Sequence, residues 1–109
     1  MQIQIGPIVY QVIISNRAIE RLNRASGGSS RGEVHHTKQD MVIDSADGPD
    51  RIAETLLHEI LHGIFRVYSL EDKEADESFI RLLSPILLDT LRRNSEVTDF
   101  LLGKTIPGK

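Results

Sequence analysis

The chain has no cysteine and no tryptophan, and its only aromatic residues are two tyrosines and three phenylalanines. Without cysteine, neither disulfides nor thiolate ligands can stabilise the fold, so any bound metal must be held by His, Asp or Glu. No apolar run approaches the roughly 18 residues of a membrane span. The net charge of −3 gives no electrostatic attraction to nucleic acid or to anionic membranes. We therefore expect neither as a partner.

The N-terminal residues 1–7 lack the basic and continuous apolar regions of a secretory signal, so the expected location is cytoplasmic. A length of 109 residues suits one domain with one modest core. We expect a single domain over 1–109, with a monomer favoured. The Gly- and Ser-rich stretch 26–32 predicts a flexible loop, and residues 103–109 predict a frayed tail.

The pattern of apolar residues predicts a small sheet and two long helices. Alternating or β-branched stretches predict strands over residues 3–5, 8–14, 33–36 and 40–43. Helical patterns cover residues 17–24, 49–68 and 71–93, and residues 96–102 add one more turn. Because Pro85 falls inside the third helix, we expect a kink there or a restart with Ser84 as the cap. The expected class is α+β, with a small antiparallel sheet packed on the two long helices.

One stretch carries the chemistry, the H-E-x-x-H pattern His58-Glu59-Ile60-Leu61-His62. Residues four apart share one face of a helix, so both imidazoles can reach one ion at about 2.0–2.1 Å. Glu59, on the neighbouring flank, can accept a proton from water at the open position of the metal. The pattern therefore predicts metal-assisted hydrolysis.

The helix that carries the motif is expected to be buried, because apolar residues occupy most of its sides. They are Ile52, Ala53, Leu56, Leu57, Ile60, Leu61, Ile64 and Phe65. Buried imidazoles need partners, and a metal ion is one. Burial favours a metal site over the alternative, a surface helix with two stacked histidines and a solvated glutamate.

A catalytic zinc site takes three protein ligands, so a third residue is needed. Residues 63–68 contain no further histidine, and the acids that follow are Glu71, Asp72, Glu74, Asp76 and Glu77. A carboxylate from the second long helix would complete a site of two histidines and one acid. Helical spacing favours Asp76, with Asp72 and Glu77 as alternatives, because it places Asp76 in the apolar stripe of Phe79.

The chain resembles the small zincin-type metallopeptidase domains encoded in phages and prophages, relatives of the SprT-like and ImmA-type minimal peptidases. The H-E-x-x-H motif is the specific part of this resemblance. Weaker similarity covers residues 5–12, 32–35, 41–44, 54–63, 77–80 and 91–94. The resemblance implies a minimal zincin fold with one zinc per chain, held by His58, His62 and Glu77, and with Glu59 as general base. It matches Glu77 rather than Asp76 because a glutamate precedes the apolar pair Phe79-Ile80.

The expected function is zinc-dependent peptide hydrolysis of the gluzincin type, on a peptide or protein substrate, by a phage- or prophage-encoded protein. Tyr68, His35 and His36 are open candidates for stabilising the oxyanion. Adjacent strand residues point to opposite faces, so at most one of His35 and His36 faces the site. We expect an edge strand, over residues 40–43, to hold an extended substrate. The alternatives are a non-catalytic zinc-binding interaction module and a helical interaction protein without metal.

Overall fold

The computed structural model describes residues 1–70 and 73–104, and of residues 73–76 only the backbone. Over this part of the chain the order of elements is β1 (Gln2–Ile5), β2 (Ile8–Ile14), α1 (Asn16–Ser26), β3 (Gly32–His35), β4 (Asp40–Ile43), α2 (Pro49–Val67), α3 (Lys73–Arg93) and α4 (Ser95–Leu101). The strands form one sheet beside the helices. The expected α+β class is confirmed.

The sheet is mixed, with the strand order β1-β2-β4-β3. The pairs β1–β2 and β3–β4 are antiparallel, but β2 and β4 run parallel. The expectation of an all-antiparallel sheet is therefore wrong. Parallel neighbours need a crossover, and α1 with β3 supplies the chain that returns from β2 to β4. Because β4 lies between β2 and β3, the expectation that residues 40–43 form an edge strand is also wrong; in the described part of the chain the edge strands are β1 and β3.

The core lies between the sheet and α2. Ile5, Tyr10 and Met41 are buried at its centre, and α2 packs apolar side chains against them, namely Leu56, Ile60, Ile64 and Val67. Gly63 allows a close approach, because a Cβ atom there would lie only 2.7 Å from Ile5 Cδ1 and 3.0 Å from Met41 Cε. The sheet and α2 thus form one packed unit, in which the motif residues are held on a fixed helix.

Helix α3 buries against α2 a different stripe from the one that the sequence pattern favours, although the half-exposed ring of Phe79 still lies 6.2 Å from that of Phe65 on α2. Ile80 and Ser84 are buried, with 0% and 1% of their surface exposed, whereas Phe79, Leu82 and Ile86 are all more than half exposed. The expected placement of Phe79 in the buried stripe is therefore wrong. The inward side of α3 is the neighbouring stripe, which also contains Glu77.

Helix α3 continues from Lys73 to Arg93 with Pro85 inside it. Ser84 does not cap a new helix; its hydroxyl donates to the carbonyl of Ile80 one turn back, at 2.7 Å. Of the two alternatives expected at Pro85, a kink or a restart, the restart at Ser84 is therefore wrong. A serine bonded back to its own helix forms no cap for a following one.

The other boundaries lie close to those expected. Ser15 caps α1, because its Oγ accepts from the backbone N–H of Ala18 at 3.2 Å. Helix α2 begins with Pro49 after Gly48. Of the expected frayed tail, residues 105–109 lie outside the described part of the chain. None of the helices in the described part combines the length and apolar character that crossing a membrane would need.

Candidate metal centre

Three side chains from two helices meet at one point. His58 and His62 lie on α2 with their Nε2 atoms 3.1 Å apart. Glu77 on α3 places Oε1 3.3 Å from Nε2 of His58 and Oε2 2.7 Å from Nε2 of His62. Within the described residues this is the group of His, Asp and Glu whose ligand atoms lie close enough to share one ion. The structure therefore brings together the three residues that the resemblance implied as ligands.

These distances suit a tetrahedral metal. With bonds of about 2.0–2.2 Å, two ligands of a tetrahedral zinc ion lie roughly 3.3–3.5 Å apart. The observed separations of 3.1, 3.3 and 2.7 Å require only small movements to reach those values. Nε2 of His62 faces both an imidazole nitrogen and a carboxylate oxygen, yet one nitrogen carries at most one hydrogen. A cation between the three lone pairs would satisfy all of them, so the donor set fits zinc.

The position of Glu77 follows from the inward stripe of α3. Glu77, Ile80 and Ser84 are spaced i, i+3 and i+7, so they share one face. Since Ile80 and Ser84 are buried against α2, that face carries Glu77 to the two histidines. The other acids considered as the third ligand cannot be compared with Glu77. Glu71 and Asp72 are outside the described residues, as are the side chains of Glu74 and Asp76.

Glu59 is buried beside the histidines, with only 6% of its surface exposed. The pKa of its carboxyl is raised from 4.5 to about 7, mainly by burial; His62 and His35 oppose this rise, and Glu77 and Glu33 contribute to it. Burial also lowers the pKa of the His58 imidazole, against the opposing effect of Glu77. A neutral imidazole is the form that binds metal, and a carboxyl with a pKa near 7 can both accept and return a proton at neutral pH.

The edge strand β3 forms the other wall of the site. The groove between β3 and the two helices α2 and α3 is lined by Glu33, Val34 and His35 from the strand and by His58, Glu59, His62 and Glu77 from the helices. Nδ1 of His35 lies 2.5 Å from Oδ1 of Asp40, which fixes the ring, and Nε2 lies 3.8 Å from Oε2 of Glu33. That Glu33 oxygen is buried and accepts no hydrogen bond from the described residues. The wall thus offers an oriented imidazole and a carboxylate.

Of the three candidates for stabilising an oxyanion, His35 alone lines this groove. Nδ1 of His36 lies 3.1 Å from the hydroxyl of Tyr10, beside another cavity. Tyr68 caps the far end of α2, more than half exposed, with its ring against Gly6. His35 is the last residue of β3, whereas His36 begins the turn to β4, so the two rings face different parts of the molecule.

Sequence reasoning missed the residues that support or extend the site. Asp40 could have been found, because it is the direct cross-strand partner of His35 in the β3–β4 hairpin. Arg31, Arg51 and Arg81 line a second cavity that begins at His58 and Glu59. They come from a loop, α2 and α3, so no sequence spacing relates them.

Comparison of the chain with protein-family models, with curated proteins and with solved structures found no match.

Proposed function

We propose that the protein is a zinc-dependent peptidase, with His58, His62 and Glu77 as metal ligands and Glu59 as general base. The observation that carries this proposal is the meeting of two imidazoles and a carboxylate beside a buried glutamate, in a groove bordered by an edge strand. Zinc bound there would acidify a water molecule and polarise the carbonyl of the substrate. No other cofactor is required.

Glu59 has two tasks in this reaction. Its carboxylate accepts the proton of the attacking water and then returns that proton to the nitrogen of the leaving amine. Its burial keeps bulk water away, which strengthens electrostatic interactions in the groove. His35, held by Asp40, lies in the groove where it can meet the carbonyl oxygen as negative charge develops. Because Nδ1–H donates to the Asp40 carboxylate, His35 donates from Nε2 in its imidazolium form, in which both ring nitrogens carry a hydrogen.

The substrate is an extended peptide paired with β3. The sheet order leaves one edge of β3 without a strand neighbour in the described part of the chain, on the side of the groove. An extended peptide can add to such an edge through backbone hydrogen bonds, which recognise any sequence. This proposal moves the substrate-binding strand from β4, which is interior, to β3.

The test pairs two variants. His58→Ala removes a ligand, so it should lose zinc and the stability linked to zinc binding. Glu59→Gln keeps the shape of the side chain, so it should retain one zinc per chain while turnover of an unstructured protein substrate falls by at least about a hundredfold. Elemental analysis, melting with and without chelator, and mass spectrometry of products give the readouts.

Three results would contradict the proposal. Less than one equivalent of transition metal after reconstitution would remove its basis. Full hydrolysis by zinc-loaded Glu59→Gln would exclude the role of Glu59. If zinc binds but the wild-type protein cleaves nothing and Glu59→Gln is silent in every assay, the protein is a zinc-binding interaction module instead.

A further inference from the structure

A cavity of about 400 Å³ continues the groove from the candidate metal centre towards the start of α2. His58 and Glu59 form its inner end, and Thr55 and Arg51 follow along α2, one and two turns before His58. Gly32, the first residue of β3, forms part of the opposite wall. A peptide that lies along β3 therefore extends into this cavity at the Gly32 end.

Three guanidinium groups from separate elements surround the cavity. Arg31 precedes β3, Arg51 lies in the first turns of α2, and Arg81 lies on α3 one turn after Glu77. Only two carboxylates, those of Glu54 and Glu59, stand against these three guanidinium groups among the described lining residues. The lining is therefore positive, although the protein as a whole has a net charge of −3.

The three arginines are held to different degrees. Nη1 of Arg31 lies 2.9 Å from Asp47, and Nη2 of Arg81 lies 3.3 Å from Glu77. Arg51 forms no ion pair with any residue in the described ranges 1–70 and 73–104. If the carboxylate of Glu77 also binds a metal ion, Arg81 shares its ion-pair partner with that ion. The cavity thus has at least one guanidinium ready to bind an anion, and guanidinium is well matched to carboxylates in two-point hydrogen bonds.

The direction of β3 decides which part of a peptide meets these arginines. The strand runs from Gly32, at the cavity, to His35, at the other end of the groove. Antiparallel pairing is the more stable arrangement per residue. An antiparallel peptide runs from the His35 end to the Gly32 end, so the residues after the scissile bond enter the cavity.

We infer that the cavity lined by Arg31, Arg51 and Arg81 is a subsite for a carboxylate on the C-terminal side of the scissile bond. The inference rests on the proposed peptidase function and gives it a substrate class, peptides with an acidic group after the cleaved bond. That carboxylate comes either from an Asp or Glu side chain or from the C-terminus of the peptide. The first source makes the protein an acid-directed endopeptidase, and the second makes it a carboxypeptidase.

The experiment uses hexapeptides of alanine and leucine, blocked at both ends, with a single Asp, Asn or Lys at each position in turn. The unsubstituted peptide with a free C-terminal carboxylate forms the second arm. Binding to zinc-loaded Glu59→Gln protein is measured by calorimetry, so the first readout needs no catalysis. Wild-type protein is then incubated with the same peptides, and mass spectrometry locates the cleaved bonds.

We expect the best Asp peptide, or the peptide with the free carboxylate, to bind at least about tenfold more tightly than its Asn or amide counterpart. The arm with the larger ratio identifies the source of the carboxylate. Adding Arg51→Gln should reduce this ratio to near one without changing zinc content or melting temperature, because Arg51 has no ion pair to lose among the described residues. Adding Arg24→Gln should leave the ratio unchanged, since Arg24 lies on α1 with 79% of its side chain exposed. The ratio should also fall with added salt, because Arg31 and Arg81 are exposed.

Equal or absent binding of charged and neutral peptides overturns the subsite, as does a preference that survives Arg51→Gln. A preference for acid before the cleaved bond overturns it too. Failure of the proposed function looks different: the binding preference and its loss in Arg51→Gln are present, but wild-type protein cleaves no peptide. Conversely, cleavage without any preference for acid leaves the peptidase standing and removes the subsite.

Discussion

Oε2 of Glu77 lies 2.7 Å from Nε2 of His62, and this contact joins α3 to α2 at the centre of the candidate site. The imidazoles come from one helix and the carboxylate from another, so a metal ion bound to all three would connect the two helices. Binding to the native state alone adds RT ln(1 + [L]/Kd) to the free energy of unfolding, about 2.7 kcal/mol when the free metal is at 100 Kd. In the proposed peptidase, zinc binding and the stability linked to it would therefore depend on the same three residues.

The first prediction concerns the carboxylate ligand. Glu77→Ala should weaken zinc affinity by more than about a hundredfold, because loss of a group that only supports a ligand already causes a loss of 10–100-fold. It should also abolish most of the chelator-induced drop in melting temperature. Competition with a zinc-binding dye measures the affinity.

Matched controls are Glu20→Ala, which removes only an exposed ion pair on α1, and Glu71→Ala and Glu74→Ala. Each should change the free energy of unfolding by no more than about 0.5 kcal/mol and leave zinc binding intact. Loss of zinc in Asp76→Ala together with its retention in Glu77→Ala would show that the helical-spacing argument for Asp76 was correct and the assignment of Glu77 wrong.

The second prediction is a pH dependence of the metal-free protein. Burial raises the pKa of Glu59 from 4.5 to about 7, so the folded state binds this proton more tightly than the unfolded state does. Its contribution to the free energy of unfolding therefore decreases as pH rises from about 4.5 through 7, by up to about 3 kcal/mol. Glu59→Gln cannot ionise, so in the presence of chelator it should become progressively more stable than wild type between pH 5 and 8.

Urea denaturation of both proteins across this range measures the difference. His58 acts in the opposite direction: burial lowers its pKa below 6.5, so its contribution to stability is lost as pH falls from 6.5 through the lowered pKa. Because both proteins contain His58, its effect cancels when they are compared. A difference in stability that does not change with pH would contradict the burial of a charge at Glu59.

The sequence predicted local structure well and strand pairing poorly. The β-branched run of β2 and the proline-initiated start of α2 depend on neighbouring residues, so both could be located within a residue or two. The parallel pairing of β2 with β4 depends on where α1 and β3 place the chain, and no local pattern encodes it. The same reason explains why β4 was expected at an edge.

The candidate site also combines residues that local spacing could predict with one that only tertiary packing could place. His58, Glu59 and His62 lie on one helix, so spacing alone brings them together. Glu77 depends on which side of α3 faces α2, and α3 has apolar residues on two neighbouring stripes. The pattern favoured the stripe of Phe79, which is 53% exposed, over that of Ile80 and Ser84, which is buried. Hydrophobic spacing alone could not choose between the stripes; the packing on α2 did.

The third prediction separates His35 from the other groove residues. His35→Gln removes the imidazole held by Asp40, so kcat should fall by about 10²–10³ while KM and zinc content change little, because a group that meets only the developing oxyanion acts on the transition state. His36→Gln is the matched control, since His36 pairs with Tyr10 beside another cavity, and its kcat should equal that of wild type. Equal losses in the two variants, or a loss confined to KM, would exclude this role of His35.

The fourth prediction tests the close packing that holds the motif helix on the sheet. A Cβ atom at Gly63 would lie 2.7 Å from Ile5 Cδ1 and 3.0 Å from Met41 Cε. Overpacking of this kind destabilises by about 1–3 kcal/mol, which exceeds the roughly 1 kcal/mol that Ala gains over Gly in helix propensity. Gly63→Ala should therefore lower the free energy of unfolding by up to about 2 kcal/mol, the overpacking cost less the gain in helix propensity.

Ile5→Val provides the matched test, because valine lacks the Cδ1 atom that a new Cβ would meet. Alone, Ile5→Val should destabilise by about 0.5–1.5 kcal/mol through the small cavity it leaves. In the double variant the methyl group introduced by Gly63→Ala would occupy part of that cavity, so the combined loss should be smaller than the sum by about 1 kcal/mol. Chemical denaturation of the four proteins in zinc-saturated buffer measures this coupling. Strictly additive losses would mean that the new methyl group moves α2 away from the sheet instead of contacting Ile5. In that case Gly63→Ala should also weaken zinc binding, because His62 moves with the helix.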